Sequence, residues 1–473
     1  MTEMENSKVT DTGRITRRQF LSRTATISGI VAAPWIIPSS ARSEDGYVSP
    51  SERITVGCVG LGNQGSALLR GFLGKRDVQI VAVCDVHATK REGTREFVEK
   101  NYANRQRKDV YKGCSTYNDF RDLVSRPDID AVVVATPDHW HVLISLAAVR
   151  AGKDIYLEKP IGLSLAEDQA LREAVIRYGT IFQFGTQQRS DFEFRRACEL
   201  VRNGRIGKLH TINVWSPSSG SGGSITPAPV PPELDYDMWL GPAPFVPYTK
   251  DRCSNVNPFF TSPYKIWPFI SDYCLGWIAG WGVHPLDIAL WGAEKELSGM
   301  VEIEGKGIFP SEGACDTSTD WDVVLTFADS GVKINFKGIG DTNGPAPAEW
   351  RQRYDKTGAH GTVFEGTEGW VHVRRGYIDA QPKALLQSQI SPNEIQLYKS
   401  NDHIRNFLDC VKSRTRTICP IDAAMQVDTL CHLSHIATLL ERRLRWNPRE
   451  ERFEKDTTAN RFLVRSMRSP WHL

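Results

Sequence analysis

Nowhere in the 473 residues do cysteines fall into CxxC pairs or at metal-ligand spacing, although there are ten of them. That removes the zinc knuckle and the dithiol redox motif from consideration, and no metal is expected. Charge of one sign is equally scarce. The chain carries 58 Lys and Arg against 56 Asp and Glu, a formal +2, and residues 1–41 alone hold five basic against three acidic side chains. The remainder is near neutral, with no global field to hold nucleic acid or an anionic membrane. A neutral small molecule is the simpler substrate. No segment reaches the roughly eighteen uninterrupted apolar residues of a membrane helix, so no stable membrane insertion is expected. There is no internal repeat. Cys58 and Cys84 lie in expected strands, where cysteine behaves as a small hydrophobe, and mostly free, buried thiols follow.

What is present begins with Ile54-Thr55-Val56-Gly57-Cys58-Val59-Gly60-Leu61-Gly62-Asn63-Gln64-Gly65, with Asp85 twenty residues later. This reads as a strand, a glycine turn and a helix start, the dinucleotide-binding fingerprint in its proper context. Gly60 permits the tight turn, Gly62 the close approach of backbone to pyrophosphate, and Gly65 the packing of helix on sheet. The phosphates would lie over free N–H groups at a helix N-terminus, with Leu61, Asn63 and Gln64 in the turn. Asp85 follows a second strand, 79–84, where a carboxylate can accept from both ribose hydroxyls. That favours NAD over NADP, whose 2′-phosphate would meet a negative charge.

Upstream, Thr16-Arg17-Arg18-Gln19-Phe20-Leu21 leads into an apolar run at 25–37 and then Pro38-Ser39-Ser40-Ala41. A charged start, a short apolar core and small residues form an export signal. The paired arginines followed by Phe-Leu resemble the twin-arginine type, which exports folded proteins, with cleavage expected after Ala41. Residues 1–41 are thus read as a signal peptide and the product as periplasmic or otherwise extracytoplasmic. No pool of soluble NAD is expected there, so the cofactor should be loaded before export, held tightly and regenerated within the site.

After a linker at 42–52, residues 53–185 alternate strands and helices in the doubly wound manner of a Rossmann domain. Expected strands are 131–136, 154–157 and 181–184, with a helix over 164–178 capped by Ser164. From about 208 the period shifts to strands at 209–215, 323–327, 332–336 and 369–373. Residues 186–445 are therefore read as an α+β domain with a large open, mostly antiparallel sheet. The Ser/Gly/Pro-rich stretch 216–232 is a loop. Residues 402–412 and 423–443 are helical, and these helices can pack back on the first domain. Residues 446–473 form a C-terminal arm suited to packing on a neighbour.

Four clusters carry chemistry. Glu158-Lys159-Pro160 follows a strand at the carboxyl edge, where such folds bind ligands, and places Lys159 beside the nicotinamide. Gly280-Trp281-Gly282-Val283-His284-Pro285-Leu286-Asp287 opens a helix on which His284 and Asp287 share a face. A histidine there can take a sugar hydroxyl proton or cap the helix. Thr136-Pro137-Asp138-His139-Trp140-His141 follows another strand end, where it can line the nicotinamide pocket or simply turn the chain. Gly185-Thr186-Gln187-Gln188-Arg189 offers amide and guanidinium donors towards the cleft. Tyr264, Trp267, Trp277 and Trp281 present aromatic surfaces fit for sugar rings or for a core.

Together with Asp235-Tyr236-Asp237-Met238-Trp239-Leu240-Gly241-Pro242-Ala243-Pro244, these segments resemble the glucose–fructose oxidoreductase, inositol dehydrogenase and rhizopine catabolism family over about residues 53–445. The resemblance implies a Rossmann domain followed by an open sheet used for dimer contacts. It assigns the hydride-transfer lysine to Lys159 and the proton-transferring histidine to His284. It also implies a homodimer or homotetramer, expected through apolar surface on the outer face of the second sheet. Many members place an aspartate one helical turn before that histidine, where this chain has Gly280; Asp287, Asp272 or Tyr273 could take its place. The expected activity is hydride transfer to or from a ring carbon of a sugar or cyclitol, with the cofactor recycled in place. A redox-neutral NAD-dependent glycoside hydrolase or lyase is the alternative, and a non-catalytic carbohydrate-binding protein a third reading.

Overall fold

The computed structural model describes residues 48–106, 109–253, 266–340 and 344–473. The signal segment 1–41 and Tyr264 lie outside them. Six parallel strands form the first sheet: β1 (Ile54–Val59), β2 (Val78–Cys84), β3 (Ser115–Tyr117), β4 (Ala131–Val134), β5 (Asp154–Leu157) and β6 (Phe182–Phe184). Their order, β3-β2-β1-β4-β5-β6, reverses between β1 and β4. That reversal opens a crevice at the carboxyl ends, and the glycine turn, the 136–141 segment and Glu158-Lys159 all emerge there. β4 and β5 are buried at every position, as parallel strands covered on both faces must be.

Helices α1 (Asn63–Leu73), α2 (Ala88–Gln106), α3 (Phe120–Val124), α4 (His141–Arg150), α5 (Leu165–Tyr178) and α6 (Phe192–Arg202) accompany these strands. Ser164 caps α5, accepting from the Glu167 N–H, while the Leu163 N–H donates to Glu167 Oε2 at 2.7 Å.

The second sheet contains β7 (Leu209–Ser216), β8 (Val301–Ile308), β9 (Asp320–Phe327), β10 (Lys333–Gly338), β11 (Gly361–Gly366), β12 (Gly369–Arg374), β13 (Tyr377–Gln381), β14 (Leu444–Asn447) and β15 (Arg452–Phe453). The order is β13-β12-β11-β7-β10-β9-β8-β14-β15, antiparallel throughout except for the β7–β10 pair. Between and after the strands lie α7 (Tyr236–Leu240), α8 (Trp277–Gly280), α9 (Val283–Gly292), α10 (Ala348–Arg353), α11 (His403–Ser413), α12 (Ile421–Leu440) and α13 (Thr457–Arg461). α6, α9 and α12 cover one face of the sheet.

The outer face differs from the sequence expectation. Over β8, β9 and β10 it carries Glu302, Glu304, Lys306, Asp322, Thr326 and Lys337. Over β7 and β11 the apolar side chains Trp215 and Val363 are buried under Trp350 and Tyr354 of the chain's own α10 region. Among the charges of β8 and β9, the apolar surface is confined to Ile308, which is 63% exposed, and the half-buried Val324.

Residues 53–473 form one compact unit, and the chain's late segments complete its early ones. α11 packs Phe407 against the Phe72–Tyr156 pair of the nucleotide domain, with its ring centroid 6.1 and 5.8 Å from theirs, and Arg405 pairs with Asp77 at 2.7 Å. The arm after 446 packs on its own chain: the Trp471 ring lies 4.7 Å from Trp140. All ten cysteines are buried free thiols.

Because Phe407 is fully buried in the core of the other domain, Phe407→Ala should cost about 3–5 kcal/mol of unfolding free energy in urea titrations. A loss below about 1 kcal/mol would show α11 to be peripheral.

Candidate functional site

The glycine turn follows the steric logic of its sequence. Gly60 has φ +86°, and a Cβ there would lie 2.5 Å from the Ala135 carbonyl oxygen. A Cβ on Gly65 would lie 1.9 Å from the Gly60 oxygen, so that residue serves helix–sheet packing. Gly62 is the opposite case. It caps α1 without a side-chain hydrogen bond, and a Cβ there would meet nothing within 4 Å. The protein leaves that space open on the side of the uncapped helix N–H groups, as a bound pyrophosphate requires. Asp85 is held at the end of β2 by the Leu61 N–H at 2.8 Å and the His87 N–H at 2.9 Å. Each of its oxygens keeps a lone pair for a ribose hydroxyl. The Leu61 side chain is buried in the core; only its backbone takes part in the turn.

One cavity is lined by Gly60, Gly62, Asn63, Gln64, Asp85, Thr136, Pro137, His141, Glu158, Lys159 and Trp267. These residues fit a dinucleotide: glycines and a helix terminus for phosphates, an acid for ribose, and Glu158-Lys159 at the far end. Sequence reasoning missed the opposite wall. Leu234, Met238 and Trp239, from the segment leading into and through α7, line the same cavity. That segment is latched beside Asp85, because the Ala88 N–H donates to the Glu233 carbonyl at 2.8 Å and the Asp235 N–H to the Val86 carbonyl at 3.0 Å. Asn118 Nδ2 donates to Asp235 Oδ2 at 2.7 Å. Trp140 Nε1 donates to the Met238 carbonyl at 3.0 Å, and Arg468 Nη1 of the C-terminal arm donates to Asp237 Oδ1 at 2.6 Å.

At the other end, Glu158 accepts from Gln64 Nε2 at 2.8 Å and Gln187 Nε2 at 3.0 Å. The Lys159–Pro160 bond is cis. Lys159 Nζ donates to the Gly280 carbonyl at 2.8 Å, joining the two domains beside the helix that carries His284. His284 is buried and its Nδ1 has no hydrogen-bond partner. Burial, followed by the charges of Lys159 and Arg375, holds it well below the usual histidine value, so it is a neutral imidazole at neutral pH. Trp281 stands over it, with rings 5.5 Å apart, and carries the Arg375 guanidinium 5.0 Å from its ring centre.

Other residues singled out from sequence lie elsewhere. Arg189 and Asp287 form a buried bidentate pair at 2.9 and 2.6 Å, and neither lines the cavity. Burial of both charges demands that pairing, which withdraws Asp287 from proton transfer and Arg189 from the cofactor. Gln187 reaches the site through Glu158. His139 turns away, its Nε2 against the Trp239 carbonyl at 3.0 Å. His141 faces the Pro160 and Thr136 carbonyls at 2.6 and 3.0 Å; burial, with a smaller contribution from the Lys159 charge, pushes its pKa down to about 4, so it can donate to only one of them. Tyr273 is engaged by Arg252 at 3.1 Å, and neither it nor Asp272 lines the cavity. A third acid that does, beside Asp85 and Glu158, is Asp138. Burial raises its pKa well above the carboxylate range against the opposing charge of Lys159. Its signal was the acidic residue inside the Thr136–His141 cluster.

Residues 54–186 match the model of an oxidoreductase family with an NAD-binding Rossmann fold, and residues 210–473 match that family's C-terminal alpha/beta domain. Among curated proteins, a myo-inositol 2-dehydrogenase of Thermotoga maritima is 29% identical over 181 residues, 38% of this chain and 47% of that protein. An alpha-N-acetylgalactosaminidase of Shewanella oneidensis is 30% identical over 209 residues, 41% of this chain and 44% of that protein. The chain thus spans about half the length of the curated relatives it matches. Among solved structures, GenD2 from gentamicin A biosynthesis in complex with NAD superposes with a TM-score of 0.57 at 17% identity, over 84% of this chain and 97% of its own. An aldose-aldose oxidoreductase from Caulobacter crescentus gives 0.56 at 17% identity, over 83% and 99%. These likenesses establish a shared fold. With the glycine turn, Asp85 and Glu158-Lys159 on one cavity and both halves matched, the chain belongs to the Gfo/Idh/MocA oxidoreductase family and carries its NAD-binding Rossmann domain.

Proposed function

We propose that this protein is an exported oxidoreductase that keeps NAD(H) bound and moves hydride to or from a ring carbon of a sugar or cyclitol. Bound NAD would supply the hydride acceptor; the chain's own residues orient the substrate and handle its proton. His284, neutral and adjacent to Lys159, takes the hydroxyl proton as hydride leaves the carbon, and Lys159 stabilises the developing alkoxide. Trp281 and Trp267 offer apolar faces for the ring. The observation that carries the reading is the single cavity shared by the glycine turn and Glu158-Lys159, walled by the Glu233–Asp235 latch. The latch also favours retention, since its main-chain bonds must open before a dinucleotide can leave past Asp85. Release would then be slow, and a second carbohydrate or carbonyl compound would restore the cofactor in place. Export by the twin-arginine route fits such a preloaded protein.

One observation favours the redox-neutral glycosidase. Gly280 withholds the acid that many family members place before the histidine, while Asp138 places on the cavity a carboxyl whose pKa burial raises well above the usual range. Transient oxidation of a hydroxyl acidifies the adjacent C–H, and a neutral acid can then assist the leaving group.

Mass spectrometry of nucleotide released on denaturing the purified protein tests retention: stoichiometric NAD or NADH is expected, and an empty site that rejects added NAD would defeat both enzyme readings. Turnover of sugars without added cofactor, against aglycone release from aryl glycosides without net NADH, separates them. Gly62→Ala should fold normally yet bind NAD at least about tenfold more weakly in calorimetry, a difference of ~1.4 kcal/mol. Gly65→Ala should instead disturb the turn itself. Lys159→Met should lower kcat by about 10²–10⁴. His284 works as a base only when neutral, and its pKa lies below the ordinary 6.5, so the acid limb of kcat/KM should also lie below 6.5. A limb at or above that value would exclude His284 as the base.

A further inference from the structure

Behind the catalytic loop, outside the cofactor cavity, lies a second group of buried ionisable side chains. Asp168 sits on α5, and Asp428 and His432 one turn apart on α12; they are 0%, 1% and 3% exposed. Asp428 Oδ2 accepts from the Ile161 N–H at 2.7 Å, and the Gly162 N–H also lies against this carboxyl; these are the two residues that follow Lys159-Pro160. His432 Nε2 lies 3.0 Å from Asp168 Oδ2. A Cβ on Gly162 would come within 2.9 Å of Asp168 Oδ1, so the loop packs directly on that carboxyl. A helix from the C-terminal part of the chain therefore holds the loop that presents Lys159.

The charge on this cluster needs a solution. Asp168, Asp428 and His432 each bring a polar side-chain atom within 4.8 Å of the others, yet the Oδ1 atom of each aspartate is buried without a partner. Among the described residues no lysine or arginine forms an ion pair with either one. Two adjacent carboxylates in a dry interior cannot both ionise unless a cation or proton lies between them. A shared proton is the simpler solution: the Ile161 N–H already occupies Asp428 Oδ2, and the His432 ring nitrogen lies 3.0 Å from Asp168 Oδ2. Burial raises both aspartates well above the carboxylate range, in keeping with one retained proton.

We propose that Asp168 and Asp428 share one proton between their Oδ1 atoms and, with His432, form a brace that positions the Glu158-Lys159-Pro160 turn. His432 donates to Asp168, the shared proton links Asp168 to Asp428, and Asp428 receives the two loop N–H groups. Asp168, Asp428 and His432 are positioning residues that act through Lys159. The brace itself is independent of any substrate; only its link to turnover rests on the function proposed above.

Asparagine is nearly isosteric with a protonated aspartate, and this makes the test sharp. In Asp428→Asn the amide oxygen still accepts from Ile161 and Gly162 while the NH₂ donates to Asp168. In Asp168→Asn the NH₂ donates to Asp428 and the oxygen accepts from His432. On the full chain, competitive acetylation with acetic anhydride, read by peptide mass spectrometry, reports how often the Lys159 amine leaves the Gly280 carbonyl. Both asparagine variants should label Lys159 at the wild-type rate. Asp428→Ala should raise labelling about tenfold, the size of one lost buried hydrogen bond. Infrared spectra should show a carboxylic-acid carbonyl band in the wild type that either asparagine variant removes. Should Asp428→Ala fail to fold, the asparagine pair and the infrared band decide alone. Asparagine variants that label as fast as Asp428→Ala, the absence of the acid band, or a stoichiometric divalent metal found by elemental analysis would each overturn the proposal. Once a substrate is turned over, Asp428→Ala should lower kcat while KM and NAD binding stay near wild type. A brace that passes labelling and infrared but leaves kcat untouched would count against the catalytic role of Lys159, not against the brace.

Discussion

The hydrogen bond from the Lys159 ammonium to the Gly280 carbonyl fixes where the chemistry can occur, because its two ends belong to different domains. Lys159 stands at the carboxyl end of β5, and Gly280 ends the short helix before the one that carries His284. This one contact sets the spacing between the end of β5 and the segment that leads into the His284 helix. It also sets the charge, since the ammonium is among the influences that keep His284 neutral. The residue at 280 is a chemical choice and not a steric one. A Cβ there would meet only the Trp277 ring, at an ordinary 3.5 Å. A carboxylate at that position would compete with the carbonyl for the ammonium, so its absence leaves Lys159 with a neutral acceptor and an undiminished charge.

Buried charge elsewhere is neutralised in pairs or held in hydrogen bonds, and that leaves few groups free to react. Arg189 and Asp287 cancel one another. Glu158 is surrounded by amide donors from Gln64 and Gln187, which lock the residue next to Lys159 without competing for its ammonium. Near Lys159 the cavity is lined by Asp138, whose pKa burial raises, while His284 lies buried outside the lining, where burial and the Lys159 charge keep it neutral. The division resembles acid–base sites generally, where neighbouring environments push titratable groups in opposite directions.

The nucleotide domain was largely legible in the sequence because its signals are local. A glycine turn, an acid after the next strand and continuous apolar runs each carry their meaning within a few residues, and strands 154–157 and 182–184 lie within a residue of expectation. The second sheet was harder. β8 reads Val-Glu-Ile-Glu-Gly-Lys-Gly-Ile, where glycines replace inward side chains because α12 lies close: a Cβ on Gly305 would sit 3.1 Å from Ala437, and one on Gly307 2.9 Å from Thr438. A strand thinned to admit a helix loses its alternation. The Asp287 assignment failed for a related reason. Helical spacing placed it near His284 correctly, but its partner Arg189 is nearly a hundred residues away and no local pattern announces it. The wall formed by Leu234, Met238 and Trp239 was invisible for the same cause, since it acts only once latched to Val86 and Ala88.

That latch bears on how the site is completed. Its segment, residues 233–240, is held on one side by main-chain bonds beside Asp85 and on the other by Arg468, which reaches Asp237 Oδ1 and the Gly241 carbonyl. Trp471 packs on Trp140 and lies 6.4 Å from Phe120, and both of those rings line the cofactor cavity. The walls of the cavity that begins at the glycine turn are therefore buttressed from outside by side chains about four hundred residues later. The wall opposite the glycine turn is thus held in place by contacts from the middle and the end of the chain, Trp471 being the half-buried contact of an otherwise exposed chain end. The shape of the cavity is therefore a property of the folded chain as a whole and not of the glycine turn alone.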